Sequence, residues 1–542
     1  MGAVGVLAPL RVLVADPIDP AGVERLRQEP DLDVEVRPGL DRETLKARIG
    51  EFDALVVRSG TRVDAGVVEA AHRLRVVGRA GVGVDNIDVE AATRRGIVVV
   101  NTPEANTVAA AEHTFALMLA IARHLPSAHR HLVEERGWER ERFMGVQLAG
   151  KTLGLVGLGR IGAEVCRRAQ AFRMHVVAYD PYVSRERAAA LGAEMVDLSQ
   201  LLARSDFISI HCPLTPRTRH LIGADQLAAV KPGVRLINCA RGGIVDERAL
   251  AEALRSGRVA AAAVDVFEEE PPWASPLLGA PNVVLTPHLG ASTVEAQSGA
   301  AVEVAEEVIR VLRGELPRHA VNLPPIPAER WPWARPYVQL AWRLGRLFTE
   351  LFGSAALRRV EVVYRRELAE AAETPALTAA ALWGILTPVL QEGVTLANAP
   401  VLARERGMEV VETRSRDAVA GAANGGPAMA LVAVLPKGRR SVGGAVDPDG
   451  SPRLVEIDGY RVNVEPSGHL LVSEHLDKPG IIGKVGTLLG QHRINIAYMQ
   501  LGRDRPGGQA VMVLGVDSPV PEPVLAELRQ IPDLWDIRAV EW

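Results

Sequence analysis

Short β-forming runs alternate with helical stretches through the first half of the chain, and this alternation limits the fold more than any other feature. The first unit contains four such runs, each closed by Gly, Asp, Asn or Pro: RVLVAD, ALVVRSG, RVVGRAG and IVVVNTP. A second unit begins at Lys151 and contains six: TLGLVGLGRIG, HVVAYD, FISIHCP, RLINCARG, AAAVDVF and VVLTPH. Strands separated by helices form parallel sheets. The pattern therefore predicts two parallel α/β sheets, with helices over residues 108–123 and 293–314.

Length and composition narrow the class of protein. A chain of 542 residues is too long for one hydrophobic core and predicts three or four domains. The net charge of −4, with acids and bases mixed along the chain, gives no global basic field for nucleic acid. The cysteines Cys166, Cys212 and Cys239 lack metal-type spacing, which indicates no metal site and a reducing cytoplasm. We expect no signal peptide in the first ten residues and no membrane span, because no apolar run is long enough.

Two further regions follow a proline-rich segment. Five prolines and two tryptophans occupy residues 323–336, where proline is expected to block helix and sheet and to form a semi-rigid linker. Residues 335–465 mix helices with strands such as RRVEVVYRR, MEVVETRS and RLVEIDG, and the turn DPDG predicts a hairpin. The tail from Gly468 predicts the order β-α-β-β-α-β.

A G-x-G-x-x-G motif follows the first strand of the second unit. Gly157 permits a tight turn, Gly159 lets the backbone approach a pyrophosphate, and Gly162 lets helix and strand pack closely. Asp180 ends the next strand, where a carboxylate accepts hydrogen bonds from ribose hydroxyls and repels a 2′-phosphate, which favours NAD over NADP. The alternative is that Asp180 only ends a strand before Pro181.

Three strand ends of the second unit carry an arginine, a carboxylate and an imidazole. Arg241 lies in NCARGG, three glutamates lie in DVFEEEP, and His288 lies in TPHLG. The carboxyl ends of strands in a doubly wound sheet face the ligand crevice, so these groups can converge. An imidazole can take the hydroxyl proton of an alcohol, a carboxylate can orient it, and an arginine can hold a substrate carboxylate. The residues alone do not decide which of Glu268, Glu269 and Glu270 pairs with His288. The arginine, the glutamate and the histidine each also fit an ordinary structural role as a surface or capping group.

These motifs resemble those of the D-2-hydroxyacid dehydrogenase family. The resemblance covers GLGRIG, ARGGIVDE, DVFEEEP and PHLGAST in order, and GRAGVGVDN and NTPEANTVAAAEH in the first unit. It implies His288 as the proton donor and acceptor, Glu270 as its partner, and Arg241 as the substrate clamp. It also implies the following NAD-contacting residues: Gly157, Gly159, Arg160, Ile161, Gly162, Asp180, Cys212, Cys239, Ala240, Arg241, Asp265, His288, Gly290 and Ala291.

Polar strand ends of the first unit are expected to face the substrate. By resemblance these are Arg58, Arg79 and Asn106, together with Arg241 from the second unit. Two arginines beyond Arg241 suggest a second anionic group on the substrate, such as a phosphate, although both also fit ordinary surface cations. Some relatives carry another arginine where this chain has Gly60, and Arg62 lies two residues further on. Cys212, where some relatives have Thr, is expected to serve packing.

The two extra regions distinguish members of this family. The tail resembles an ACT domain through LDKPGII, and the middle region resembles the intervening domain of the family members that oxidise 3-phospho-D-glycerate to 3-phosphooxypyruvate in serine synthesis. The resemblance implies that L-serine binds between two ACT domains at His475, Asp477 and Asn495, although His475 stands where some serine-sensitive relatives carry Tyr. The alternative is an ACT domain that only oligomerises. Pairing of ACT domains and the apolar helix at 108–123 suggest a homotetramer.

The expected architecture is two doubly wound parallel-sheet domains, an α+β intervening domain and a βαββαβ ACT domain. The predicted boundaries are 1–106 with 298–325 for a discontinuous substrate domain, 107–297 for a Rossmann NAD domain, 335–465 and 468–542. Two rival functions stay open: another 2-hydroxyacid dehydrogenase such as a hydroxypyruvate or glyoxylate reductase, and a non-enzymatic NAD-sensing corepressor. The amino-acid-binding tail argues against the corepressor.

Overall fold

The computed structural model describes residues 8–353, 357–390, 393–415, 426–436 and 438–541, and the counts below refer to these residues. The first seven residues, where no signal peptide is predicted, and Trp542 lie outside this range. Four β-sheets form the framework. Among the described residues, no helix combines the length and the apolar character needed to cross a bilayer.

The first sheet is parallel and has five strands. They are β1 (Leu10–Val14), β2 (Leu32–Val36), β3 (Ala54–Val57), β4 (Val76–Arg79) and β5 (Val98–Val100), in the order β2-β1-β3-β4-β5. Its helices are α1 (Pro20–Arg27), α2 (Arg42–Arg48), α3 (Ala65–Ala70) and α4 (Val89–Arg94). The last three each begin after an aspartate whose carboxylate accepts a backbone N–H of the first turn: Asp41, Asp64 and Asp88.

The second sheet has seven parallel strands. After α5 (Thr107–Ala122) and α6 (Leu125–Val133), they are β6 (Thr152–Val156), β7 (His175–Tyr179), β8 (Glu194–Met195), β9 (Phe207–Ile210), β10 (Val234–Asn238), β11 (Val259–Val264) and β12 (Val283–Leu285). The intervening helices are α7 (Arg160–Ala171), α8 (Arg185–Ala190), α9 (Leu198–Arg204), α10 (Ala224–Ala229) and α11 (Glu247–Arg255). The strand order is β12-β11-β10-β9-β6-β7-β8. Along the chain, β7 and β8 are added on one side of β6, and β9 to β12 are then added on its other side. This change of side at β6 is the switch point of a Rossmann sheet.

The next helix, α12 (Val294–Leu312), returns the chain to the first sheet. Its residues Val304, Val308 and Leu312 share a core with β1, β3 and β4. Helix α5, although it follows the first sheet in sequence, packs on the second sheet. The chain therefore crosses between the two sheets twice, and this confirms the predicted fold of a discontinuous first domain with a Rossmann domain. The residue boundaries stay predictions.

The prediction that proline blocks a helix throughout residues 323–336 is wrong. Helix α13 (Trp331–Phe352) begins inside this segment, with Pro332 in its first turn and Pro336 within the helix. The first turn of a helix has no intrahelical acceptor for its N–H groups, so Pro332 loses nothing there. Pro336 removes one hydrogen bond near the helix end, and the buried Leu340, Leu344 and Phe348 further along supply the packing that stabilises the helix.

The third sheet forms the intervening domain, which is mixed α+β. Its remaining elements are β13 (Arg359–Arg365), α14 (Thr374–Leu386), α15 (Ala399–Glu405), β14 (Glu409–Ser415), β15 (Met429–Leu435), β16 (Gly438–Val446), β17 (Pro452–Ile457) and β18 (Tyr460–Val464). Strand β14 pairs parallel to β13, and the other pairs are antiparallel. The predicted hairpin turn lies between β16 and β17, where the Asp447 N–H donates to the Ser451 carbonyl (2.9 Å).

The fourth sheet has the predicted βαββαβ order. Its elements are β19 (His469–Leu476), α16 (Ile481–Gln491), β20 (Ile496–Arg503), β21 (Gln509–Val516), α17 (Glu522–Leu528) and β22 (Leu534–Glu541), with the strand order β20-β21-β19-β22. One face packs on its own two helices.

The other face of this fourth sheet packs on the intervening domain. Leu470, Val472 and Val513 lie in one continuous core with residues of α13 and α14. At the edge of this interface, the Arg440 guanidinium of β16 donates to Asp458 (2.7 Å) and to Glu474 of β19 (2.7 Å). The two C-terminal domains therefore share one hydrophobic core and a partly buried ion-pair cluster.

Candidate active site

The glycine motif forms a strand–turn–helix at the switch point of the second sheet. Gly157 directly follows β6 with φ +100°, a conformation that favours glycine. A Cβ on Gly162 would collide with the carbonyl oxygen of Gly157, whereas a Cβ on Gly159 would meet no atom of the described residues within 4 Å. Helix α7 begins at Arg160, so the exposed N–H groups of its first turn face the space beside Gly159. The turn therefore fits a pyrophosphate.

Asp180 follows β7 and ties this turn to the neighbouring strand. One carboxylate oxygen accepts the Leu158 N–H (2.9 Å) and the other accepts the Tyr182 N–H (2.9 Å). Each oxygen keeps a further lone pair for a ribose hydroxyl. The carboxylate is thus held at the place where the adenosine ribose of a dinucleotide is expected.

Cys212 and Cys239 lie after β9 and β10 and are partly buried. Burial raises the pKa of the Cys212 thiol to about 11 and that of Cys239 to about 12. Both side chains are therefore neutral thiols at neutral pH, which suits packing and not nucleophilic chemistry.

Asp265 is fully buried and organises the loop that carries the imidazole of His288. Its carboxylate accepts from the Thr286 hydroxyl (2.6 Å) and from the Leu289 and Gly290 N–H groups (2.8 and 2.9 Å). His113 Nε2 of α5 lies 3.2 Å from it. Burial acts to raise the pKa of Asp265, but the hydrogen bonds from His113 and Thr286 outweigh it and the pKa is lowered. Sequence reasoning missed His113, and its one signal is a histidine within a mostly apolar helix.

His288 is paired with Glu270. The imidazole Nδ1 lies 2.9 Å from a Glu270 carboxylate oxygen, and the other oxygen accepts the Phe267 N–H (3.2 Å). Partial burial acts to raise the pKa of Glu270, but the hydrogen bond from His288 outweighs it and the pKa is lowered. Glu268 instead pairs with His220 (3.2 Å). The structure thus brings Glu270 to His288, and Nε2 is the ring nitrogen left for a substrate hydroxyl.

Arg241 joins the two α/β domains across the cleft. Its Nε lies 3.2 Å from Asp85 of the first domain, and Nη1 donates to the Ala240 carbonyl (2.7 Å). Arg241, Glu270 and His288 line one cavity of about 760 Å³, so the imidazole and the guanidinium reach a common space. The sequence did not indicate the Asp85 contact.

The same cavity is lined by three arginines of the first domain, Arg58, Arg62 and Arg79, and by Asn106. Burial and the neighbouring Arg241 lower the pKa of Arg79 to about 10, while Asp85 acts in the opposite direction, so this side chain stays charged at neutral pH. Arg79 Nε and Asn106 Oδ1 are buried and, among the described residues, have no hydrogen-bond partner. Unpaired buried polar groups are costly. The Arg79 N–H can donate to an anionic oxygen of a ligand, and the Asn106 carbonyl oxygen can accept from a ligand hydroxyl. The presence of Arg62 in the cavity lining answers a question that the sequence left open.

Three family models match the chain. They describe the D-isomer specific 2-hydroxyacid dehydrogenase NAD binding domain over residues 115–290, the D-3-phosphoglycerate dehydrogenase intervening domain over 334–458, and the ACT domain over 469–533. The D-3-phosphoglycerate dehydrogenase of Methanocaldococcus jannaschii is 46% identical over 98% of this chain and 99% of its own. That of Archaeoglobus fulgidus is 45% identical over 98% of this chain and 100% of its own. The chain belongs to the D-3-phosphoglycerate dehydrogenase family.

Solved structures resemble the dehydrogenase part of this family member. The TT0316 protein from Thermus thermophilus is 39% identical with a TM-score of 0.54, and it covers 58% of this chain and 100% of its own. D-lactate dehydrogenase from Aquifex aeolicus, solved with NAD and lactic acid, is 28% identical with a TM-score of 0.52 over 56% of this chain and 96% of its own. The predicted membership of the D-2-hydroxyacid dehydrogenase family is confirmed.

The residues predicted to hold serine lie at two ends of the ACT sheet of this family member. His475 and Asp477 lie where β19 ends, beside Arg503, whose guanidinium donates to Asp477 (2.9 Å). Asn495 directly precedes β20, whose first residue pairs at the other end of the sheet, and donates to Asp517 (2.7 Å). His475 is buried with Nδ1 unpaired among the described residues. One chain thus does not bring Asp477 and Asn495 together.

Proposed function

We propose that this chain oxidises 3-phospho-D-glycerate to 3-phosphooxypyruvate with NAD, the first step of L-serine synthesis. The observation that carries the proposal is the hydrogen-bonded His288–Glu270 pair in one cavity with Arg241 and with the three arginines of the first domain. An imidazole for the hydroxyl proton and a guanidinium for the carboxylate are the groups that oxidation of a 2-hydroxy acid requires. The additional arginines provide positive charge for a phosphate.

We assign His288 Nε2 as the base that takes the proton from the C2 hydroxyl. The neighbouring Glu270 carboxylate orients the ring and stabilises its protonated form. Arg241 holds the substrate carboxylate in this assignment, and the contact of its Nε with Asp85 fixes the guanidinium at the cleft. The turn from Gly157 to Gly162 and Asp180 would hold NAD, which would supply the acceptor for the hydride from C2.

We assign the phosphate end of the substrate to Arg58, Arg79 and Asn106. The unpaired Arg79 Nε donates to an anionic oxygen in this arrangement, and Arg62 adds a fourth cation to the cavity.

The NAD contacts follow the turn from Gly157 to Gly162 and Asp180, continue through Cys212, Cys239 and Ala240, and reach Gly290 and Ala291. Asp265 acts in this assignment mainly through the 286–290 loop that it holds.

The deciding experiment compares substrates and cofactors in one coupled assay. Purified protein should reduce NAD with 3-phospho-D-glycerate at a kcat/KM at least about tenfold above that with NADP, because Asp180 disfavours a 2′-phosphate. In the reverse direction, 3-phosphooxypyruvate should exceed hydroxypyruvate by a similar factor, because the unphosphorylated acid leaves arginines unpaired. Equal rates on the two acids would favour a hydroxypyruvate reductase, and no turnover with NAD binding retained would favour the corepressor.

We further propose a cytoplasmic homotetramer that L-serine inhibits through its ACT domains. The three cysteines are free thiols, which suits a reducing compartment. Exposed apolar side chains cluster on α6 and the segment after it, including Leu132, Val133 and Trp138, the last 77% exposed. Such a surface on a folded domain supports a subunit contact there, and pairing of ACT domains supplies a second.

A further inference from the structure

The segment that leaves β3 carries two of the cavity arginines, Arg58 and Arg62. We call residues 58–62 the arginine turn. Asp16, which follows the neighbouring strand β1, is 4% exposed and lies directly beneath it. One carboxylate oxygen accepts the backbone N–H groups of Arg58 (2.6 Å) and Thr61 (3.0 Å), and the other accepts the Thr61 hydroxyl (2.7 Å). A single buried carboxylate therefore holds both ends of the turn.

Asn86 holds the same turn through its carbonyl groups. Its amide nitrogen donates to the Arg58 carbonyl (2.7 Å) and to the Thr61 carbonyl (2.6 Å). The N–H and C=O groups of residues 58 and 61 are thus all bonded, the N–H groups to Asp16 and the C=O groups to Asn86. Neither partner comes from the turn itself, so the conformation of the turn depends on these two side chains.

The contact of Asp16 with the arginine turn also accounts for Gly60, where some relatives carry arginine. A Cβ at this position would lie 2.8 Å from the Asp16 carboxylate oxygen, which is closer than a carbon and an oxygen ordinarily approach. A side chain at residue 60 and the present Asp16 contact are therefore incompatible. In this chain the second arginine of the turn is Arg62.

We propose that Asp16 and Asn86 are positioning residues that fix the arginine turn and thereby set the preference for phosphorylated substrates. The inference rests on the function proposed above. Neither residue needs to touch the phosphate, because each acts through the backbone that carries Arg58 and Arg62. A guanidinium on a fixed turn loses less freedom when it binds an anion than one on a mobile loop.

The test replaces Asp16 by alanine and measures reduction of 3-phosphooxypyruvate and of hydroxypyruvate with NADH. We expect kcat/KM on the phosphorylated acid to fall about 10- to 100-fold, mainly through KM, because small misplacements of binding groups have effects of this size. On hydroxypyruvate the loss should be much smaller, so the ratio of the two kcat/KM values should fall about tenfold or more. Gly60→Ala, which displaces the carboxylate by its Cβ, should lower the ratio in the same direction.

Asp53→Ala is the matched control. Asp53 is a comparably buried aspartate of the same domain, 5% exposed, that accepts the Arg11 N–H (2.8 Å), but it precedes β3 and lies at the opposite end of that strand. Its loss should lower the melting temperature and leave the ratio unchanged. An unchanged ratio in folded Asp16→Ala and Gly60→Ala, or an equal fall in Asp53→Ala, overturns the inference. Wild-type protein inactive on 3-phosphooxypyruvate overturns the proposed function itself, before any variant is compared.

Discussion

His288 lies on a loop whose shape depends on a second carboxylate, Asp265, and not on the glutamate with which it pairs. Asp265 holds the backbone after His288, while Glu270 holds the ring. The two carboxylates thus divide the work of placing one imidazole. Loss of either should affect proton transfer, but only loss of Asp265 should also disturb the loop beside the cofactor turn.

Replacing His288 by alanine should lower kcat about 10²–10⁴-fold, the usual contribution of a positioned acid–base group. NADH affinity, followed by fluorescence titration, should stay within about twofold of wild type because the glycine turn is untouched. The control is His220→Ala, which removes a histidine that also pairs with a glutamate but that does not line the cavity. That variant should keep its kcat, and a comparable loss in both variants would remove the assignment of His288.

At the residue scale, the sequence predicted the charged groups at strand ends but not their partners. Arg241, Glu270 and His288 line one cavity, as the parallel-sheet argument required. Asp16, Asn86, Asp85 and His113 were missed because each acts through a contact with a residue distant in sequence. No spacing or periodicity encodes such a contact, which becomes visible only when the strand order is known.

At the scale of the element, the turn between β6 and α7 separates two roles of glycine. Gly162→Ala should destabilise the fold by about 1–3 kcal/mol, because the new Cβ meets the Gly157 carbonyl. In the part of the chain that the structure describes, the new Cβ of Gly159→Ala has no neighbour within 4 Å, so its melting temperature should match wild type to within about 1 °C. Its NADH dissociation constant should nevertheless rise at least about tenfold, since the methyl group occupies the space proposed for the pyrophosphate.

Calorimetry measures the stability of Gly162→Ala and Gly159→Ala, and fluorescence titration measures their NADH dissociation constants. Loss of stability in Gly159→Ala, or unchanged NADH binding by that variant, would contradict the placement of the dinucleotide on this turn.

Elements with a strong pattern were predicted, and elements stabilised by their surroundings were not. The apolar strands of the two parallel sheets and the whole βαββαβ order of the tail agree with the sequence. Strand β2 was not named, because it is an edge strand in which polar and apolar residues alternate over only five positions. Helix α13 was not predicted as an element, because its first residues lie in the proline-rich segment and because the burial of Leu340, Leu344 and Phe348 that stabilises it is a tertiary effect.

For the whole molecule, the separation of Asp477 from Asn495 turns the serine hypothesis into a statement about two chains. If serine binds between ACT domains, Asp477→Ala and Asn495→Ala should each abolish inhibition, because every site of either homo-oligomer lacks one residue. Subunits of the two variants mixed by co-expression should recover inhibition, since a pair of unlike chains has one site with both residues. Initial rates against serine concentration measure this.

The control is a mixture of Asp477→Ala subunits with subunits that carry both Asp477→Ala and Asn495→Ala. None of the sites in this mixture contains both Asp477 and Asn495. Recovery in that mixture, or no recovery in the first one, would contradict a site shared between chains. Wild-type protein unaffected by millimolar serine would leave the ACT domain with an assembly role alone.

The shared core of the two C-terminal domains has a consequence for how this molecule can be dissected. Deleting the chain after Val464 would strip the cover from an apolar face of the intervening domain and leave the Arg440 guanidinium without Glu474. Such a truncated protein should self-associate through the exposed apolar face. Its kinetics would then report this structural damage and not the loss of effector binding. A single proteolytic cleavage between β18 and β19, by contrast, should leave both fragments bound to each other. The association of the two domains depends on their shared core and not on the peptide bond that connects them.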